Sequence, residues 1–289
     1  MAETTRTEMQ EKKKRGRGRL FGKILIGLVI LNSLVLIFNH FAVPELKYRK
    51  ALELADRQQY SAAIEVFTEL GGYKDSGARL IPLYDAVNRY LSLGATVYYG
   101  TYEQDNDNTN GKEKISWRVV AMDQDKVLLL SDENLDSRPY HLEDKAVTWE
   151  TCTLRSWLNA DFLNAAFTGE EQSAILTTKV ETEDNSLYQT KGGAQVEDQL
   201  FLLSAREAGQ YFADDSARKA SNTAYALEQR AYNSPEGNGW WWLRTPGIEG
   251  NIASNVNYSG TVDEYGNYIY SIGGGVRPAF WIDQSALHQ

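Results

Sequence analysis

The tryptophans at positions 240–242 are the residues of this sequence best suited to stacking against the apolar face of a ligand. Successive side chains of a β-strand point to opposite faces, so Trp240 and Trp242 share one face and Trp241 takes the other. One face is predicted to join the core, and the other to form a platform for a sugar or a peptide. The predicted ligand-binding set is Trp240, Trp241, Trp242, Arg244, Tyr258 and Tyr265, with help from Tyr268 and Tyr270.

Thiol-based nucleophilic chemistry would have to use Cys152, because it is the only cysteine of the chain. A thiol nucleophile also needs a base, and His141 is the candidate. One cysteine and three separated histidines exclude a disulfide framework and a Cys/His zinc site. We therefore interpret Cys152 as a residue at the start of a helix, and no catalytic residue is predicted.

Glycoside hydrolysis would need two carboxylates facing each other across a cleft. No spacing selects such a pair from the available residues Asp132, Glu133, Asp136, Glu150, Asp263 and Glu264. Residues 105–111 suggest a calcium loop, but Gly111 then falls at the seventh position instead of the sixth. The polar segment is predicted to be a solvated loop between two strands, and neither a metal nor a cofactor is expected.

Three arginines, Arg155, Arg244 and Arg277, lie within otherwise apolar motifs. Such a residue can bind an anionic ligand. It can also hold loops together through hydrogen bonds to carboxylates and backbone carbonyls. The second interpretation is favoured for all three.

Charge is divided unevenly along the chain. The formal net charge is −9, but residues 1–23 carry eight Lys/Arg against three Glu, so this segment is +5 and the remainder is −14. An acidic body lacks the basic face that nucleic-acid binding requires.

Residues 24–43 form an apolar run without charged side chains, at the length of about 20 residues that spans a bilayer. The basic residues before it predict a cytoplasmic N-terminus and a main domain outside the membrane. A cleaved signal peptide is the alternative, but its apolar part is shorter and ends at a small-residue site that residues 38–43 lack. An uncleaved signal anchor is favoured.

Residues 44–94 show the apolar spacing of helices. Tyr60, Ala63, Ile64 and Phe67 recur at the i, i+3, i+4, i+7 positions of one face, and this segment resembles the second half of a tetratricopeptide repeat. One unit is too few for a peptide-binding array, which needs about three. A helical stalk that holds the next domain away from the membrane is therefore predicted.

Residues 95–289 are predicted to form an α+β domain, because helices interrupt antiparallel strands without βαβ alternation. Strands are predicted at residues 95–102, 115–122, 126–131, 240–244, 255–262 and 276–282. Helical spacing covers residues 148–167, and capping boxes start helices at Thr168 and Ser204. Residues 181–198 are predicted to be a long loop.

Eight separated motifs occur in an order that is similar to the bacterial domain-of-unknown-function family 6273. They are Tyr99-Gly-Thr-Tyr, Ile115-Ser-Trp-Arg-Val, Leu128-Leu-Leu-Ser, Pro139-Tyr, Trp149-Glu-Thr-Cys-Thr-Leu-Arg-Ser-Trp-Leu-Asn, Phe201-Leu-Leu-Ser, Trp241-Trp-Leu-Arg-Thr-Pro-Gly and Gly275-Val-Arg-Pro-Ala-Phe. The last two also resemble the C-type-lectin-like fold, which includes the formylglycine-generating enzymes. The resemblance implies a lectin-like α+β fold, but not the copper chemistry, because that requires a pair of cysteines.

Taken together, these features predict a single-pass membrane protein with a non-catalytic, extracytoplasmic module that binds an envelope glycan or peptide. A carbohydrate hydrolase that uses Asp and Glu is one alternative. A scaffold that recruits a membrane partner through the stalk is another. Fold resemblance alone does not decide among them.

Overall fold

The computed structural model describes residues 42–89 and 91–288. None of the helices in these two ranges is both long enough and apolar enough to cross a membrane. The predicted membrane segment, residues 24–43, lies outside the described residues except for Ala42 and Val43. The chain divides into two compact units between Leu83 and Tyr84.

The first unit is built from helices α1 (Val43–Asp56), α2 (Tyr60–Leu70) and the first part of α3 (Ser76–Asn88). The predicted apolar face of α2 is confirmed, since Ala63, Ile64 and Phe67 are buried. On α1, the ring of Tyr48 lies 5.8 Å from the ring of Phe67, edge to face. The two helices therefore share a small aromatic core.

The motif Tyr73-Lys-Asp-Ser connects the start of α3 to α1. Its Tyr73 hydroxyl donates to Glu45 at 3.0 Å, and Lys74 forms an ion pair with the same carboxylate. These two partners, with Arg49, lower the pKa of Glu45 to about 2. The motif therefore holds the segment before α3 against α1 within the first unit.

The second unit begins with a four-stranded antiparallel sheet. Its strands are β1 (Thr96–Tyr102), β2 (Glu113–Asp123), β3 (Lys126–Ser131) and β13 (Ala279–Asp283). They lie in the order β1-β2-β3-β13, so strands early and late in the sequence are neighbours.

A second sheet has five strands, which are β4 (Asp136–Ser137), β9 (Trp241–Pro246), β10 (Ile252–Val256), β11 (Val262–Tyr268) and β12 (Gly275–Val276). They lie in the order β11-β10-β9-β12-β4. The pairings are antiparallel except for β12 with β9, which is parallel.

Short helices and two-stranded ribbons connect the sheets. The helices are α4 (Thr153–Trp157), α5 (Leu163–Ala166), α6 (Gly169–Ala174), α7 (Ala205–Tyr211), α8 (Asp215–Arg218) and α9 (Ala224–Glu228), with single turns at Trp149–Thr151, Leu158–Phe162 and Gln284–His288. The ribbons are β5 (Thr178–Val180) with β6 (Val196–Asp198), and β7 (Ala220–Ser221) with β8 (Asn238–Gly239).

The predicted α+β class is confirmed, as are both predicted capping boxes, at Thr168 and Ser204. Two predicted strands are wrong in detail. Residues 255–262 contain the turn between β10 and β11, where the Asn257 side chain accepts from the N–H groups of Ser259 and Thr261. Residues 276–282 are split into β12 and β13, because Pro278 has no N–H for a continuous ladder.

Two predicted segments also differ in their boundaries. The helix expected over residues 148–167 is broken into a 3₁₀ turn, α4, a π-helical turn and α5. The loop expected over residues 181–198 ends earlier, because its last three residues form β6.

Aromatic side chains fill the interior of the second unit. Trp117 of β2 and Phe280 of β13 pack edge to face across the intervening strand β3, with ring centroids 4.7 Å apart. Trp149, Trp241 and Trp242 are also fully buried. Such rings supply much of the apolar area that stabilises an irregular domain with short elements.

Candidate functional site

A run of three glycines, residues 273–275, lies directly against the indole of Trp242. A Cβ on Gly274 would lie 2.1 Å from Nε1 of Trp242 and 2.8 Å from Cη2 of Trp240. At Gly275 it would lie 2.4 Å from Cγ of Asn134. The backbone reaches this position only because neither residue has a side chain.

Three aromatic side chains surround this glycine run at the surface. Tyr232 donates its backbone N–H to the Gly273 carbonyl at 3.1 Å, and its ring lies 5.7 Å from that of Tyr258. Both tyrosines are well exposed, at 42% and 44%. Trp240 is half-buried, with its ring 4.7 Å from the Trp242 ring, edge to face.

Arg138 is hydrogen-bonded to Gly274 through the backbone and carries a positive charge on its side chain. Its backbone N–H donates to the Gly274 carbonyl at 3.2 Å, and its guanidinium lies 4.2 Å from the ring centroid of Trp157. The Nε atom donates to Asp136, while the two terminal nitrogens make no hydrogen bond to any described residue. We call Arg138, Trp157, Tyr232, Trp240 and Tyr258 the aromatic face.

Asp136 lies beneath Arg138 and is buried. The hydroxyl of Tyr102 donates to its Oδ2 at 2.9 Å, and Arg138 Nε donates to the same oxygen at 3.3 Å. Burial raises the pKa of Asp136 above its ordinary value, although Arg138 and Tyr102 act in the opposite direction. Asp136 thus fixes the guanidinium through Nε and leaves the two terminal nitrogens of Arg138 free to contact solvent or a ligand.

Trp240 and Trp242, which are predicted to share one face, contact each other edge to face. Trp241 and Trp242 are both fully buried, so neither forms a surface platform. Their indole nitrogens donate to backbone carbonyls, from Trp241 to Arg218 at 3.2 Å and from Trp242 to Arg138 at 2.9 Å. Of the three tryptophans, only Trp240 has a surface from which it can contact a ligand.

Two other members of the predicted set lie apart from the aromatic face. Arg244 pairs with Glu207 at 2.8 Å and donates to the Leu202 carbonyl at 2.7 Å. Tyr265 is exposed and packs edge to face on Tyr188, with ring centroids 6.1 Å apart. The predicted helpers Tyr268 and Tyr270 stack on each other at 5.3 Å.

The structural interpretation of the three arginines is confirmed by their contacts. Arg155 pairs with Asp198 at 2.7 Å, and Arg244 pairs with Glu207. Arg277 is fully buried and donates to the carbonyls of Ser131 and Arg218, at 2.7 and 3.2 Å. Each side chain thus ties together segments that are distant in the sequence.

The predicted carboxylates each have separate partners, and none of those partners is another member of the set. Asp132 binds Ser116 and Arg118, and Asp136 binds Tyr102. The others accept hydrogen bonds as follows: Glu133 from Ser221, Glu150 from Ala194, Asp263 from Tyr265 and Gly266, and Glu264 from Ser186. No direct contact therefore couples two of them as an acid and a base.

Three different carboxylates do converge, at the base of the β1–β2 hairpin. Oxygens of Glu103, Asp105 and Glu113 lie within 4.8 Å of one another. Each carboxylate already accepts hydrogen bonds from the N–H groups of its own loop, such as Asp107 to Glu103 at 3.0 Å. We assign the cluster to the folding of this loop.

Cys152 and His141 are neighbours, but their geometry does not form a nucleophile and a base. Cys152 caps α4, with Sγ accepting from Arg155 N–H at 3.4 Å, which confirms the predicted position at the start of a helix. His141 Nδ1 accepts from Thr153 N–H at 3.2 Å. Burial raises the pKa of the Cys152 thiol to about 12 and lowers the pKa of His141.

We predict that iodoacetamide does not modify Cys152 in the folded protein at pH 8. The thiol has a pKa of about 12 and no exposed surface, so at pH 8 it is protonated and out of reach of the reagent. Mass spectrometry before and after guanidinium treatment measures this, and the single cysteine makes the result unambiguous. Rapid labelling of the native protein would contradict the buried position.

The aromatic face contains three residues that the predicted ligand set lacks, Arg138, Trp157 and Tyr232. Arg138 immediately precedes the motif Pro139-Tyr, and Trp157 is within the motif that begins at Trp149. The contact between Arg138 and Trp157 arises from tertiary packing, so the spacing of residues in the sequence does not predict it. The run of three glycines is the one sequence signal of a close backbone approach at this place.

Residues 124–284, more than half of the chain, match the model of a family described as "Domain of unknown function (DUF6273)". No curated protein and no solved structure matches the chain. The matched range contains every residue of the aromatic face.

Proposed function

The chain belongs to the family described as domain of unknown function (DUF6273), and from this premise we propose that its second unit is a non-catalytic glycan-binding module. The family description gives no activity, so the proposal rests on the chemistry of the aromatic face. The module is attached to the membrane and lies outside the cytoplasm in this proposal, and its fold is of the C-type-lectin-like kind.

The proposal rests on one observation, which is that aromatic rings outside the hydrophobic core are exposed at the surface. The rings of Tyr232 and Tyr258 contact each other at the surface, while buried rings elsewhere in the unit already fill its interior. Exposed apolar surface rimmed by polar groups commonly marks a binding site. The apolar C–H faces of a sugar fit such rings.

Polar groups that a glycan needs belong to other members of the aromatic face. The terminal nitrogens of Arg138 and the indole N–H of Trp240 donate to no described residue, so they are available to sugar hydroxyls. Tyrosine hydroxyls both donate and accept. Selective binding sites commonly combine aromatic rings with a few well-placed polar groups.

A glycan suits this surface better than an extended peptide. Peptides often bind by adding a strand to a sheet edge with free backbone groups. At β11, the carbonyls of Glu264 and Tyr265 already accept from Asn185 and Ile248. At β13, the Trp281 carbonyl accepts from Leu176.

The location in the proposal is supported by the sequence of residues 1–43. Their +5 cluster precedes an apolar run of the length of a bilayer, and the rest of the chain is acidic. Helices α1 and α2 serve as the tetratricopeptide-like stalk between the membrane and the module. One helical pair with a small shared core suits a spacer better than an array.

The test uses the full chain in a polyoxyethylene detergent, which has neither sugar nor charge. We expect retention on insoluble bacterial peptidoglycan or on a bacterial glycan array, weakened about tenfold or more by Tyr232→Ala and by Trp240→Ala. The matched control is Tyr265→Ala, which removes a tyrosine outside the aromatic face that is somewhat more exposed than Tyr232, and should change affinity by less than about twofold.

Three results would contradict the proposal. The first is that neither peptidoglycan nor any arrayed glycan is retained. The second is an equal loss in Tyr265→Ala and Tyr232→Ala, which would place the binding surface elsewhere. The third is release of shortened glycan from a bound sample, which would favour the hydrolase alternative.

A further inference from the structure

The guanidinium of Arg138 is held in place by two contacts. Its Nε atom donates to Oδ2 of Asp136 at 3.3 Å, and its central carbon lies 4.2 Å from the ring centroid of Trp157. Asp136 is itself fixed, because Oδ1 accepts from the Ser137 N–H at 2.7 Å and Oδ2 accepts from the Tyr102 hydroxyl at 2.9 Å. The guanidinium is therefore oriented, although the Arg138 side chain is 41% exposed.

The two terminal nitrogens of this guanidinium are accessible and unused. Neither makes a hydrogen bond to residues 42–89 or 91–288. Neither belongs to the buried polar atoms that lack a partner, so both reach the surface. Asp136, in contrast, is only 1% exposed, so a ligand that approaches this place meets the donors of Arg138 and not the carboxylate.

This combination distinguishes Arg138 from the other arginines that the structure describes between residues 84 and 288. Five of them use at least one terminal nitrogen to contact a carbonyl or a carboxylate: Arg118, Arg155, Arg206, Arg218 and Arg244. Arg277 leaves one terminal nitrogen without a partner, but that atom is buried. Arg89 and Arg230 are exposed and make no hydrogen bond to a described residue, so neither guanidinium is held.

A fixed guanidinium with free terminal nitrogens suits an anion. The planar fork of arginine matches two oxygens of a carboxylate or a phosphate, and such charge-assisted pairs are about twice as strong as neutral hydrogen bonds. Because the group is already oriented, less conformational entropy is lost on binding. The ion pair with Asp136 offsets part of the charge at a distance, so recognition depends on the two directed donors at short range.

We propose that Arg138 binds a carboxylate or phosphate group of the glycan, so that the ligand of the aromatic face is an acidic glycan. This assignment rests on the proposed function and specifies the class of glycan. Arg138 and Tyr232 donate their backbone N–H groups to consecutive residues of the glycine run, to Gly274 at 3.2 Å and to Gly273 at 3.1 Å. The two residues are thus anchored one residue apart, within the span of an oligosaccharide.

Binding of the full chain in polyoxyethylene detergent to immobilised bacterial wall glycan tests the proposal. One probe is peptidoglycan strands freed of their peptides, which carry carboxylates, and the other is sacculi that retain phosphodiester-linked polymers. Each is compared with a neutralised form, made by converting the carboxylates to amides or by removing the phosphate polymers with hydrofluoric acid. We expect at least one acidic form to bind about tenfold or more tightly than its neutralised form, which identifies the anion.

Variants assign this preference to Arg138. Arg138→Gln should weaken binding of the preferred acidic form about tenfold or more and should remove the difference between acidic and neutralised glycan. Arg138→Lys keeps the charge but not the fork, so it should recover only part of the affinity. The unfolding temperature of each variant shows whether the fold is intact. If Arg138→Gln does not fold, the preference of the unaltered protein for the acidic form decides.

Arg206→Gln is the matched control. It removes one positive charge from the same unit, at an exposed side chain whose partner, Glu183, is not part of the aromatic face. Affinity should stay within about twofold, and the preference for the acidic form should remain. Net charge alone would weaken binding equally in this variant and in Arg138→Gln.

The assignment is overturned if the unaltered protein binds acidic and neutralised glycans equally well. It is also overturned if Arg138→Gln retains the preference, or if Arg206→Gln loses as much affinity as Arg138→Gln. Binding of glycans without any preference for the acidic form would overturn this assignment alone and leave the glycan-binding proposal in place. Failure to bind any glycan, acidic or neutral, would overturn both.

Discussion

Gly274→Ala is expected to destabilise the second unit by about 3 kcal/mol and to abolish glycan binding. The added Cβ would lie 2.1 Å from Nε1 and 2.4 Å from Cε2 of Trp242, whose indole is fully buried and cannot move freely. Overpacking a dense core costs about 1–3 kcal/mol, and a collision with a fixed ring belongs at the upper end. Urea unfolding followed by tryptophan fluorescence measures the loss.

Gly273→Ala is the matched control, one residue earlier in the same loop. Its added Cβ would meet nothing closer than 3.6 Å, at Cβ of Tyr232, which is an ordinary contact. The change should therefore alter the free energy of unfolding by less than about 0.5–1 kcal/mol. Equal destabilisation by both substitutions would show that loop flexibility, and not the contact with Trp242, requires glycine.

Arg277→Ala is expected to cost about 3–5 kcal/mol in the free energy of unfolding. The side chain is fully buried, with its guanidinium 5.0 Å from the ring centroid of Trp241. Truncation would leave a cavity and remove the donors to the Ser131 and Arg218 carbonyls. Because Arg277 joins segments from both sheets, unfolding should remain a single transition at a lower urea concentration.

Arg277→Met separates the contribution of side-chain volume to stability from the contribution of the buried charge. Burial lowers the pKa of Arg277 to about 9, because loss of contact with water disfavours the charged form. Its Nη2 atom also has no partner among the described residues. Methionine keeps the apolar stem and removes the buried charge, so it should retain at least about 1.5 kcal/mol more stability than alanine. If both variants are equally unstable, the hydrogen bonds dominate instead.

Local patterns in the sequence predict much of this fold. The strands β1 to β3 and the two capping boxes follow from alternation and from residue types at fixed offsets. The errors occur where a turn is made by side-chain hydrogen bonds, as at Asn257, or where a proline interrupts a ladder. Those features depend on one or two residues inside an otherwise strand-like segment.

The candidate sites are less predictable than the fold. Trp240 and Tyr258 belong to the predicted set and to the aromatic face, but burial removes Trp241 and Trp242 from the surface. The sequence predicts the helix-capping role of Glu207, whereas its pairing with Arg244 depends on how α7 packs on β9. Contacts between distant segments follow from tertiary packing, which local spacing does not encode.

The closure of both sheets by late strands has a consequence for how the protein is made. Ile282 of β13 pairs with Val127 of β3, and Val276 of β12 pairs with Asp136 of β4. Neither sheet is complete until these last strands have been synthesised, so loop-closure entropy delays the final assembly. If the chain is exported through the membrane in an unfolded form, as in the proposed location, neither sheet can be completed until almost all of the chain has crossed.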